Sequence, residues 1–205
     1  MEKKIQVIHI HGGMTFKSHD DYLLYLKTRE ISIDSQSSWA DSLPEKLGDD
    51  FEVIRPRMPL RENASYEDWK IHFERHFPLI NDNVILTGFS LGATFLAQYL
   101  SENEFPKNII ATYLIAPPFD GDLPHEDLAG GCRLQSDLTL MQENCSRLNF
   151  LFSKNDNVVP LSHADKFAEK LPLAKITVYD HIDGHFLVPE LPELVEMIKK
   201  DSKDI

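Results

Sequence analysis

The chain has little of what staples or anchors a protein: 205 residues carry two cysteines and nine glycines, and no long apolar run. Two cysteines cannot make a disulfide framework, and a chain of this length buries a sizeable core without one. Cys132 and Cys145 are therefore expected as reduced thiols in a cytoplasmic protein. Ile5 to Ile10 follows Met1-Glu2-Lys3-Lys4 in the manner of a secretory leader, yet the run is too short and meets His9, His11 and Gly12-Gly13. Nothing approaches the roughly 20 apolar residues of a membrane span. Positive charge is scarce too: Lys+Arg 21 against Asp+Glu 33 leaves a net charge of −12. That field repels polyanions, which excludes nucleic acid and anionic membrane as expected partners. Internal repeats and low-complexity runs are absent, and the length suits one domain.

What is present alternates. Ile5 to Ile10, Phe51 to Ile54, Val84 to Thr87, Ile109 to Ile115, Leu148 to Phe152 and Lys175 to Tyr179 are short apolar or β-branched runs that read as six strands. Between or after them, Ser38 to Leu47, Tyr66 to Phe77, Leu91 to Leu100, Ser162 to Leu171 and Leu191 to Lys199 carry apolar residues at helical spacing. Nearly continuous apolar strands alternating with helices predict an α/β three-layer sandwich with a mostly parallel six-stranded sheet. Residues 1–205 read as a single domain with insertions at about 15–36 and 117–146. Tyr22 to Leu26 in the first predicts a short helix, and the second is long, acidic and proline-bearing. Both follow strand C-termini, the sheet edge where open α/β folds bind ligands.

One strand leads straight into chemistry. Val84 to Thr94 is an apolar strand, then Gly88-Phe89-Ser90-Leu91-Gly92, then the start of an amphipathic helix. Gly-x-Ser-x-Gly in that setting is a nucleophile elbow, with Ser90 held clear of the sheet and glycines where side chains would collide. The Leu91 amide and the helix N-terminus stand beside the serine as oxyanion donors.

A serine needs a base and the base an orienting acid, in the order serine, acid, histidine. Asp156 lies just past the strand Leu148 to Phe152 and is the expected acid, with Asp120 its rival. His185 follows Gly184 after the last strand and is the expected base, with His181 its competitor. A second oxyanion amide comes from His11-Gly12-Gly13-Met14, either Gly13 or Met14. His9 and His11, two apart on a strand, suggest metal, but no third ligand is spaced to match. His72 and His76 read as a solvated helix face, His163 as surface, and Cys132 has no frame for a nucleophile.

Together, His11-Gly12, the Ser90 elbow, Asp156 with Val159-Pro160, and Gly184-His185-Phe186 resemble the α/β-hydrolase superfamily over almost the whole chain, lacking the two strands that usually come first. Tyr66-Glu67-Asp68-Trp69 and the short length are similar to the small one-domain serine hydrolases typified by the retinoblastoma-binding hydrolase. The resemblance implies a serine hydrolase with Ser90 as nucleophile, Asp156 as acid and His185 as base, and no metal or organic cofactor. The expected substrate is a small carboxylic ester cleaved through an acyl-serine intermediate, and the negative charge favours neutral esters over acyl-coenzyme A thioesters. The alternatives are a fold-retaining binding or regulatory protein, and the same machinery acting on amides or thioesters.

Overall fold

A computed structural model describes residues 4–33 and 38–204, so Met1 to Lys3 and the far end of the first extra stretch, Gln36, lie outside the described residues. In chain order the main elements are β1 (Ile5–Ile10), α1 (His19–Thr28), α2 (Trp39–Leu47), β2 (Phe51–Ile54), α3 (Tyr66–Glu74), β3 (Asn83–Phe89) and α4 (Leu91–Glu102). They continue as β4 (Asn108–Ile115), α5 (Thr139–Asn144), β5 (Leu148–Ser153), α6 (Ser162–Lys170), β6 (Lys175–Tyr179) and α7 (Pro192–Asp201). All six strands form one sheet in the order β2-β1-β3-β4-β5-β6, and every neighbouring pair is parallel. This is the α/β-hydrolase arrangement without its first two strands. The chain leaves β1 for one edge and returns to its other side as β3, which makes a switch point where the ends of β1 and β3 diverge.

The central strands are apolar on both faces because both faces are covered. Val7, Ile85, Tyr113 and Leu151 pack against Trp39, Leu43, Leu194 and Ile198 of α2 and α7. Their neighbours Ile8, Leu86, Leu114 and Phe150 face the opposite layer, with Phe73, Phe95 and Phe167 of α3, α4 and α6. Helix α4 is buried continuously from Leu91 to Leu100, and Phe95 meets Trp69 and Phe73 with ring centroids 5.7 and 5.5 Å apart. Helix α3 ends three residues before the expected Phe77; Pro78, with no amide to extend the ladder, sits in a separate 3₁₀ turn, Phe77–Leu79.

The expected short helix in the first extra stretch is α1; it buries none of its residues, and Leu24 is 60% exposed, so its apolar run is a surface feature. One expectation changes. His163 is fully buried rather than on the surface: the Phe119 amide donates to its Nδ1 at 3.0 Å and its Nε2 donates to the Asp122 carbonyl at 3.0 Å. It pins the segment after β4 to the N-terminus of α6. The two extra stretches also join each other. Thr15 pairs with Asp127 in an isolated antiparallel bridge, its Oγ1 donates to the Asp127 carbonyl at 2.6 Å, and Lys17 reaches the Asp127 carboxylate at 2.5 Å.

His9 on β1 is buried with Nδ1 3.0 Å from Thr87 Oγ1 on β3 and its ring edge-on to Trp39. Burial, helped by nearby His11 and Arg55, pushes this imidazole down to about 3. The unfolded chain takes up a proton near pH 6.5 that the folded chain refuses until about pH 3. Stability present above pH 6.5 is therefore lost as pH falls through that interval, by at most about 1.4 kcal/mol per pH unit. His9→Gln, which keeps a polar contact for Thr87 but cannot titrate, is expected to flatten the loss between pH 6.5 and 4. Denaturant unfolding of both proteins across that range measures the difference in slope, and equal slopes would contradict a neutral buried His9.

Candidate active site

Ser90 stands between β3 and α4 with φ 52° and ψ −122°, backbone that a serine adopts only when its surroundings enforce it. What enforces it is the pressing of the α4 N-terminus onto the ends of β1 and β3. A Cβ on Gly88 would come within 2.7 Å of Ala93 Cα, and one on Gly92 would run into the carbonyl oxygens of Ile10 and His11. The Ser90 amide donates to the Ile115 carbonyl at 2.8 Å, and its own carbonyl accepts from the Ala93 and Thr94 amides, so the strained residue is tied on both sides.

The structure brings Ser90, Asp156 and His185 together from the ends of three strands. Ser90 Oγ lies 2.9 Å from His185 Nε2, and His185 Nδ1 donates to Asp156 Oδ2 at 2.7 Å. The other oxygen of Asp156 accepts from the Val158 and Val159 amides at 2.8 and 2.9 Å, which aims the fully buried carboxylate. Gly184 at φ 62° and Phe186 at φ 52° fold the chain tightly around His185, whose ring lies 5.0 Å from that of Phe89. The rivals are elsewhere. Asp120 is engaged by Lys166 at 2.8 Å, and the exposed His181 pairs with Glu193 at 2.7 Å, which raises its pKa.

The oxyanion amides separate on their partners. Met14 N donates to the Arg61 carbonyl at 2.9 Å, whereas neither the Leu91 amide nor the Gly13 amide meets an acceptor among the described residues. Gly12 lies against Ser90; a Cβ there would meet Ser90 Cβ at 3.3 Å. His11 steadies this loop: the Met58 amide donates to its Nε2 at 3.0 Å, so its proton is on Nδ1, which donates to the Gly12 carbonyl at 2.7 Å. His11 lies past the last residue of β1, with its ring edge-on to Trp69 at 5.6 Å. Among the described residues no cluster of three His, Cys, Asp or Glu side chains could hold a metal. Cys132 and Cys145 are free and buried, and burial pushes their thiols up to about 12 and about 11, so both are inert at neutral pH.

Several residues of the site escaped the sequence. Ser153 Oγ donates to the Ile182 carbonyl at 2.6 Å, and Asn155 accepts from the Gly184 amide and reaches Asp183, so the acid loop and the base loop hold each other. The Ser-x-Asn-Asp run is the signal for this, but its partner 29 residues on is not readable from spacing. Glu126, from the second extra stretch, is half-buried near the His185–Asp156 pair; burial raises its pKa, His185 opposes the rise and the Asp156 charge adds to it. Glu126 also lines a cleft of about 490 Å³ with Met14, Tyr25 and Leu123, so both extra stretches contribute to its walls. A larger cavity of about 1120 Å³ is bordered by Gly12, Phe89 and Leu187.

Fold and site together define a hydrolase of the α/β class. The chain belongs to the serine hydrolase family, whose model matches residues 33–197. Among solved structures it is similar to the ydeN gene product of B. subtilis, at 20% identity and a TM-score of 0.77, covering 98% of this chain and 100% of that one. It is also similar to a protein described as a YdeN-like hydrolase from Pectobacterium atrosepticum, at 16% identity and TM-score 0.65 over 98% and 91% of the two chains. Est1E from Butyrivibrio proteoclasticus follows at 13% identity and TM-score 0.62 over 100% and 89%. Among curated proteins none matches in sequence. No described helix is long and apolar enough to cross a membrane.

The elbow makes a direct prediction. Gly92→Ala puts a methyl group into two backbone carbonyls and is expected to cost about 3 kcal/mol of stability. Chemical denaturation reads the loss, and a variant as stable as the parent would mean that α4 is not pressed against β1 as described.

Proposed function

We propose that this serine hydrolase cleaves small carboxylic esters through an acyl-Ser90 intermediate, with His185 as general base and acid and Asp156 as its orienting partner. The observation that carries the reading is His185 bridging Ser90 Oγ and Asp156 Oδ2 at 2.9 and 2.7 Å. In the first half-reaction Nε2 takes the hydroxyl proton as Oγ attacks the ester carbonyl. The oxyanion is held by the amides of Leu91 and Gly13, the two left without a protein acceptor. The C–O bond then breaks, and His185 returns its proton to the departing alkoxide. Water, deprotonated by His185, attacks the acyl-enzyme and releases the acid with Ser90 restored. Asp156 does not take the proton; it fixes the Nδ1–H tautomer and stabilises the imidazolium.

With 4-nitrophenyl acetate, Ser90→Ala is expected to abolish turnover, and Asp156→Asn to lower kcat by about 10⁴, since the amide favours the wrong tautomer. Stopped-flow kinetics on the purified proteins measures both, and turnover that survives Ser90→Ala would overturn the reading.

A further inference from the structure

The larger cavity differs from the rest of the molecule in its charge. It is lined by Arg55, Arg57 and Arg61 in a chain whose net charge is −12. Two carboxylates share the lining, and each is already paired: Asp41 with Arg55 at 2.9 Å, and Glu62 with Arg29 at 3.1 Å. Arg55 also donates to the Ala40 carbonyl, so its guanidinium is spoken for. Arg61 uses its Nε on the Gly12 carbonyl at 3.1 Å, and Arg57 is exposed; neither forms an ion pair among the described residues. The imidazole of His11 feels both: after burial, the charges of Arg61 and Arg57 hold its pKa down. The cavity borders the triad through two of its lining residues, because Gly12 lies against Ser90 and Phe89 against the His185 ring.

We infer that the cavity bordered by Arg57 and Arg61 is the substrate subsite of this hydrolase, and that it selects esters carrying one anionic group, a carboxylate or a phosphate, remote from the scissile bond. This rests on the ester-hydrolase reading above and names the substrate class for the same serine. The global field repels polyanions at long range, but it is screened within about 10 Å in ordinary buffer, whereas two uncompensated guanidinium groups act at contact. Guanidinium is also suited to this ligand: its planar fork donates two parallel hydrogen bonds to a carboxylate or phosphate, and charge-assisted bonds are the strong ones. The expectation that negative charge favours neutral esters is replaced by a local rule, a single anion admitted at one mouth.

The test is binding to the Ser90→Ala protein, which does not depend on turnover. Calorimetry with the mono-4-nitrophenyl ester of glutaric acid is compared with calorimetry on 4-nitrophenyl valerate, its neutral counterpart of matching length. The anionic ester is expected to bind about tenfold tighter in low salt and to lose much of that advantage in 0.5 M NaCl. Arg57→Lys should retain part of the preference and Arg57→Glu, on an exposed position that does not threaten folding, should reverse it. Competition by glutarate or by inorganic phosphate identifies the anion that the subsite takes. Equal affinities for the two esters, a preference untouched by Arg57→Glu, or competition by neither anion would overturn the inference. Wild-type turnover separates this from the parent reading: anion-selective binding without Ser90-dependent hydrolysis would sink the esterase and leave the subsite standing.

Discussion

The geometry of the site depends on one close approach, that of the first turn of α4 to the ends of β1 and β3. Gly88 and Gly92 let the backbones touch where any side chain would intrude, and the contact forces Ser90 into positive φ. Such backbone costs about 1–3 kcal/mol, which the continuously buried helix behind it offsets through packing. From the same contact follow the exposure of the hydroxyl to His185, the open Leu91 amide at a helix N-terminus, and the nearness of Gly12. A looser elbow would lose all of these together.

Around that contact the sheet acts as a jig. Parallel strands deliver every strand-to-helix loop to one edge, so Ser90, Asp156 and His185 arrive from β3, β5 and β6 without being near in sequence. The loops are then cross-braced by Ser153, Asn155 and the two amides that hold Asp156, which places rotamer-locked groups where bond lengths must be reproducible. The stretches after β1 and β4 are joined through Thr15 and Asp127, so the cleft between them is walled by pieces far apart in the chain.

How much of this was legible divides along locality. Strand and helix periodicity and the elbow glycines are short-range patterns, the order serine, aspartate, histidine needs only chain order, and the residues they single out do meet in space. What sets Met14 apart from Gly13 is the bond from its amide to the Arg61 carbonyl, some 47 residues away, and no spacing rule contains it. His163 read as surface because a histidine early in a helix usually is; only the folding back of the segment after β4 supplies the Phe119 and Asp122 partners that allow burial. The apolar run of α1 was legible as a helix but not as an exposed one, since a periodic pattern does not say whether a neighbour covers it. No spacing rule separates the arginines at 55, 57 and 61; only their partners in the fold tell Arg55, paired with Asp41, from the other two.

The central claim is that Ser90 is the nucleophile and is activated by His185, and a covalent label tests it most directly. Treatment of the native protein with a fluorophosphonate, followed by intact mass measurement and peptide mapping, is predicted to give a single adduct on the peptide containing Ser90, with labelling strongly slowed in His185→Ala. An adduct on any other residue, or none at all on correctly folded protein, would contradict it.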